Sequence, residues 1–163
     1  MNLCYNVNKM EMRMFKYYIG LIWSLAFLGG FFSGQSLVFA ADMDIEMLNK
    51  RADGEKMVYS VDVAKVDVGD TITWLPTSKG HNVHFISAPD GWKIPKKSKN
   101  NKEVSITFDV PGVYLYQCTP HATMGMIALV IVEEGGEVPL NDVSKAKVRG
   151  KSKKKLKELL SQI

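Results

Sequence analysis

Downstream of Ala40, apolar and polar residues alternate with a period of two through much of the chain. Met43, Ile45 and Met47 share one face of an extended segment beginning at Asp42, the pattern of a half-buried strand. Asp53-Gly54 is a turn signal. Val61, Val63, Val66 and Val68 mark further extended chain, and Gly69-Asp70 turns it into Thr71-Ile72-Thr73-Trp74. Pro76 closes that strand, and Lys79-Gly80 opens a short one through His81-Asn82-Val83-His84-Phe85. Residues 104–108 form the next, Pro111-Gly112 turns the chain into residues 113–116, and the last strand runs from about Gly125 to Val132. Short strands punctuated by Gly and Pro predict an all-β, Greek-key β-sandwich rather than a parallel sheet with crossover helices.

Two stretches leave this pattern. Residues 87–102 contain Pro89, Gly91 and Pro95 together with Lys93, Lys96, Lys97, Lys99 and Lys102, and read as a basic surface excursion with room for one helical turn. In the tail the period lengthens. Pro139 with Asn141 and Asp142 begins a short helix expected over 140–148, with Val143, Ala146 and Lys147 three or four apart. Gly150 breaks it, and Ser152 is the expected cap of a second helix, from Lys153 to about Ser161. That helix gathers Leu156, Leu159, Leu160 and Ile163 on one side. A basic amphipathic helix can meet a membrane or a partner, but packing its leucines on its own domain is the commoner use.

The first 40 residues have a different character. Residues 1–16 are polar and basic, with Lys9, Arg13 and Lys16 against Glu11, and an apolar run follows over 17–39, broken by Gly29, Gly30 and the stretch 33–36. It ends in Val38-Phe39-Ala40, which suits signal peptidase and places cleavage between Ala40 and Ala41. We therefore expect a signal peptide over 1–40, a mature domain over 41–163 and a periplasmic destination. For a secretory signal 40 residues is long, and Met10, Met12 and Met14 are alternative starts. At about 20 residues an apolar run also suffices to span a bilayer, so an uncleaved anchor is the competing reading; after cleavage no stable membrane insertion is expected.

Composition sharpens the function. Loss of the first 40 residues lowers the net charge from +4 to +2, too mild to indicate nucleic acid as a partner. It also removes Cys4 and leaves Cys118 as the one cysteine of the exported part, unable to form an internal disulfide. A lone thiol in an oxidising compartment is either buried and inert or occupied.

Its surroundings favour occupation. Cys118-Thr119-Pro120-His121-Ala122-Thr123-Met124-Gly125-Met126 lies between the last two expected strands, and His81 begins a strand well upstream. A sandwich brings distant strand ends together, so a thiolate, two imidazoles and a thioether can converge. Soft sulfur suits copper(I) and imidazole suits both copper oxidation states, and His₂Cys with a weak axial Met serves electron transfer. Zinc accepts His and Cys but is poorly served by Met in the fourth place. Iron–sulfur clusters need more cysteines. A Cys–His nucleophile pair is chemically conceivable, but leaves the Met-rich loop without a role.

The segments Cys-Thr-Pro-His-x-x-Met-Gly-Met and Gly80-His81-Asn82-Val83 resemble the pseudoazurins among the cupredoxins. The similarity extends over residues 41–50, Gly69-Asp70-Thr71, 77–83 and Pro111-Gly112-Val113-Tyr114, and includes the two C-terminal helices. The resemblance implies a cupredoxin-like sandwich carrying one type 1 Cu(I)/Cu(II) ion, with His81, Cys118, His121 and Met126 as ligands. Met124 competes for the axial role by residue type, whereas the family pattern assigns that role to Met126. The resemblance also gives Asn82 the task of tying the ligand loops together, Asn49 that of bracing the first ligand, and Met57 a place against the solvent-facing His; His84 has no ligand counterpart. It implies a single-electron carrier, not an enzyme. The docking patch would lie around His121, with Pro120, Ala122, Thr123, Met124 and Gly125, rimmed by Lys50, Lys79, Lys96, Lys97, Lys99 and Lys102. Partners would be redox proteins such as a nitrite reductase or a c-type cytochrome. A copper storage or delivery protein is the alternative. Ala122, Gln117 and a small length difference between His81 and Cys118 depart from the family pattern without touching a ligand.

Overall fold

The computed structural model describes residues 42–139 and 142–163. The expected signal segment and its Ala40–Ala41 boundary lie outside them, as do residues 140 and 141 of the first expected tail helix. Eight strands follow one another: β1 (Asp42–Lys50), β2 (Lys56–Tyr59), β3 (Val63–Asp67), β4 (Thr71–Leu75), β5 (His84–Ser87), β6 (Val104–Thr107), β7 (Gly112–Gln117) and β8 (Ile127–Glu133). They form two four-stranded sheets, β2-β1-β4-β6 and β3-β8-β7-β5. Each contains one parallel pair, β1 with β4 and β3 with β8, while the other neighbours run antiparallel.

The period of two explains the layering. In β4, Ile72 and Trp74 point into the space between the sheets. Thr71 and Thr73 face outward, where their hydroxyls pair with Thr107 and Ser105 of β6 at 2.8 and 2.9 Å. Ile45 and Met47 of β1 enter the same core, opposite Phe85, Tyr114, Tyr116, Ala128, Val130 and Val132. Aromatic rings fill it in tilted and edge-on contacts, with Trp74 5.2 Å from Tyr116 and 5.7 Å from Phe85.

β7 and β8 are apolar on both faces, as strands covered on both sides must be. The cover on their outer face is the tail. Helix α1 (Ser152–Leu160) packs Leu156 and Leu159 with Val143 against Val113, Leu115, Ile127 and Leu129. Burying one such leucine stabilises by about 1.5–3 kcal/mol. Ile163, expected on that face, is instead 45% exposed beyond the end of the helix. The first tail helix is reduced to a 3₁₀ turn, Val143–Lys145, after which the chain is extended at Ala146. Among the described residues no helix is long and apolar enough to cross a membrane.

Two other expectations change. The strand expected from His81 begins only at His84. His81 and Val83 give backbone bonds to the 87–102 excursion instead of a ladder: Asn101 N–H donates to His81 O and Ser98 N–H to Val83 O, both at 2.9 Å, and Val83 N–H donates to Ser98 Oγ at 3.0 Å. The excursion is accordingly bound down, without a helical turn. Its Trp92 stacks on Phe108 with centroids 6.1 Å apart and meets Tyr114 edge-on at 5.0 Å. The aromatic character of one residue in a polar, lysine-rich run was the signal for this attachment.

Candidate metal centre

Three loops at one end of the sandwich build the site. Cys118 follows the last residue of β7, and its N–H donates to Met126 O at 3.0 Å, so the segment closes on itself before β8 begins. Between them, Thr119–Met124 forms a 3₁₀ turn that Pro120 helps to start and Gly125, at φ 106, ends in a conformation glycine adopts freely. His81 arrives from the β4–β5 connection. Gly80, at φ 95, brings that connection beside His121; a Cβ there would lie 3.8 Å from His121 Cε1.

The donor atoms converge. Cys118 Sγ lies 3.6 Å from His81 Nδ1 and 3.5 Å from His121 Nδ1, and the two Nδ1 atoms are 3.2 Å apart. A triangle of this size suits a metal held by bonds of about 2.0–2.1 Å to nitrogen and about 2.3 Å to sulfur. The His81 tautomer supports the same use. Its Nε2 lies 2.8 Å from Asn49 Oδ1, an acceptor, so Nε2 carries the proton and Nδ1 presents its lone pair to the triangle. One soft thiolate with two imidazoles is a donor set that copper fits.

Burial differs among the donors. His81 and Cys118 are fully buried, whereas His121 is half-buried. Met126 is also fully buried and shares the inter-sheet core with Cys118, while Met124 is 49% exposed. Burial pushes the Cys118 thiol up, opposed by backbone N–H groups of Asn82 and His121. Burial holds His81 below its ordinary value, and the neighbouring His121 acts in the same direction.

The polar supports stand where the resemblance implies. Asn82 Oδ1 accepts from Thr119 N–H at 2.7 Å, and its amide nitrogen reaches Ser98 O at 3.3 Å and Thr119 Oγ1 at 3.4 Å. Asn82 thereby joins the His81 loop, the excursion and the Cys118 loop. Tyr59 adds a fourth tie by donating to Asn82 O at 2.8 Å. Met57 is half-buried against the inter-sheet core at φ 52, a left-handed conformation uncommon for a residue with a Cβ. His84 stands apart on β5, its Nδ1 3.4 Å from Gln117 Nε2. Residues that sequence reasoning did not select also hold the site: Ser98 and Asn101 from the excursion, and Ser152, whose hydroxyl donates to Ala122 O.

Around the half-buried edge of His121 the surface is apolar and small, with Pro120 and Met124 exposed and Ala122 partly so. An open cleft beside it is lined by Asn82, Lys97, Ser98, Lys99, Asn100, Thr119 and Pro120. Lys50, Lys79, Lys96, Lys97, Lys99 and Lys102 are all exposed, and among the described residues none of the six forms an ion pair.

Known proteins resemble this chain in sequence and fold. Residues 45–133 match the family described as copper binding proteins, plastocyanin/azurin family. A pseudoazurin of Paracoccus pantotrophus is 39% identical over 129 residues, covering 77% of this chain and 86% of its own. A solved pseudoazurin from Sinorhizobium superposes with a TM-score of 0.69 at 39% identity, over 74% of this chain and 94% of the other. One from Methylobacterium extorquens AM1 gives 0.65 at 34% identity, over 75% and 98%. The chain belongs to the plastocyanin/azurin family of copper binding proteins and, within it, to the pseudoazurins, which carry electrons on one copper ion and are not enzymes.

Proposed function

We propose that His81 Nδ1, Cys118 Sγ, His121 Nδ1 and the Met126 thioether hold the copper ion of this electron carrier. The observation that carries this reading is the triangle of donor atoms, with edges of 3.2, 3.5 and 3.6 Å, which brings together a chemistry of ligands suited to copper. Burial of Met126 beside Cys118, against the exposure of Met124, supports Met126 as the axial donor.

Copper bound there supplies a one-electron couple and an intense thiolate-to-metal absorption. The protein's part is to hold the donors still and keep water out. Asn49 fixes the His81 ring, Asn82 fixes the start of the Cys118 loop, and full burial of Cys118 and His81 excludes solvent. A centre that barely moves between oxidation states exchanges electrons with little reorganisation. His121 is the donor of the triangle with solvent exposure, and its ring edge is where a docked partner makes contact. The patch of Pro120, Ala122 and Met124 gives that contact a small dry surface, and the lysines beside it steer acidic partners. A nitrite reductase or a c-type cytochrome fits this description of a redox partner. The exported form is residues 41–163, released between Ala40 and Ala41 to work in the periplasm.

The visible absorption spectrum of the copper(II) protein tests the centre. We expect an intense blue or green band that Cys118→Ser abolishes while circular dichroism still reports a folded sandwich. A copper-loaded wild type without that band would overturn the assignment.

A further inference from the structure

The 3₁₀ turn Thr119–Met124 has no buried residue of its own, so apolar packing does not fix it. The bonds that close its far half are long, with Gly125 N–H to Ala122 O at 3.4 Å and Met126 N–H to His121 O at 3.3 Å. Asn82 secures its first residue, Thr119. The far half, from His121 to Thr123, is held by the beginning of α1. Lys151 N–H donates to Thr123 O at 2.9 Å, and the Ser152 hydroxyl donates to Ala122 O. Ser152 is fully buried, and its hydroxyl does not cap its own helix, where Lys151 occupies the cap position. Gly150, at φ 59, lies so close to Thr123 that an added Cβ would collide with the Thr123 carbonyl oxygen. Gly125 meets the same helix start, since a Cβ there would lie 3.6 Å from Lys151 Cβ.

We propose that the first turn of α1 is a clamp on the metal loop, and that Ser152 is a positioning residue for His121, acting through the Ala122 carbonyl. The tail thereby has a second task besides covering β7 and β8: it holds the far half of the turn that carries the partly exposed donor, while Asn82 holds its start. The proposal rests on the assignment of His121 as a ligand only for its consequence in the loaded protein, because the clamp itself is a property of the copper-free chain.

The test pairs Ser152→Ala with Leu156→Ala, which weakens helix packing without touching the loop bonds. Amide hydrogen exchange of Gly125 and Met126 is measured in the copper-free proteins, and release of copper(II) to excess chelator in the loaded ones. Ser152→Ala is expected to speed loop exchange and copper release roughly tenfold, as loss of one ordinary hydrogen bond would give, with exchange in β7 and β8 unchanged. Leu156→Ala is expected to lower the thermal midpoint more and to alter loop exchange less. If Ser152→Ala does not fold, Gly150→Ala supplies the same displacement through its Cβ and is read in the same way. Loop exchange that follows global stability equally in both variants, or does not change in Ser152→Ala, would overturn the clamp. Failure of the wild type to bind copper would instead remove the ligand assignment and leave the exchange result intact.

Discussion

At the scale of single residues, the site couples a buried thiol to a buried imidazole, and both carry consequences before any metal arrives. Burial, with His121 as the second cause, holds the folded-state His81 below 6.5, while in the unfolded chain it takes up a proton near 6.5. Below 6.5 the unfolded chain binds more protons, so copper-free stability is full above that value and falls as the pH is lowered through the folded-state value. His84, held down by burial and by Lys97, acts with the same sign. Cys118 works at the other limit. Its folded-state thiol is raised above 9.0, so the unfolded chain loses its proton first and stability falls as the pH rises beyond that point. Urea midpoints of the copper-free protein should therefore peak between about 6.5 and 9; a midpoint that climbs on acidification to pH 5.5 would contradict the burial argument. Met126 gives a sharper prediction. A thioether is a weak neutral donor, and an amide oxygen in its place favours copper(II), so Met126→Gln should retain copper and lower the reduction potential. Exposed Met124, changed to Leu, should move the potential much less. Electrochemistry that ranked the two the other way would make Met124 the axial donor.

At the scale of elements, loops rather than strands supply the donors, and the quality of the site depends on how the loops are tied. Asn82 joins three of them through bonds of 2.7, 3.3 and 3.4 Å. Asn82→Ala leaves the Thr119 N–H without its partner, and should lower unfolding free energy by about 1–3 kcal/mol while copper is lost to chelator faster than from wild type. Unchanged denaturation and release would mean that the loops are held by other contacts. These ties show what can be read from sequence alone. The strands are legible because alternation in β1 and β4 and turns at Gly69-Asp70 and Pro111-Gly112 are local signals. Cys118 and His121 are legible because their short spacing survives any fold. In residues 87–102 only Trp92 signals attachment, and the path itself is not legible, because it depends on backbone bonds to His81 and Val83, which have no sequence signature. Ser152 is misread as a cap for the same reason. A serine before a helix has a strong local use, and the competing acceptor, Ala122 O, is 30 residues away in the chain.

At the scale of the whole molecule, the net charge of +4 says little, and the placement of charge says more. Lys97 and Lys99 line the cleft that runs to Pro120, and Lys79 precedes the glycine that rests against His121, so these cations lie close to the edge proposed for docking. They are exposed and, among the described residues, outside every ion pair, which leaves their field available to an approaching molecule. Exposed charges act over roughly 8–10 Å at moderate salt and change the frequency of encounter more than the strength of the final contact. Replacing any two of Lys79, Lys97, Lys99 and Lys102 by Glu should slow electron transfer to an acidic partner by about tenfold at low ionic strength. Added salt should slow the wild type toward the mutant rate, because screening removes the same attraction. The copper spectrum should not change, since none of these side chains touches Asn49, Asn82 or a donor atom among the contacts that hold the site. A lysine rim that served only solubility would give stopped-flow rates indifferent to both substitution and salt. That result would remove the steering model while leaving the metal centre as it stands, because the convergence of His81, Cys118 and His121 does not depend on the charges around it.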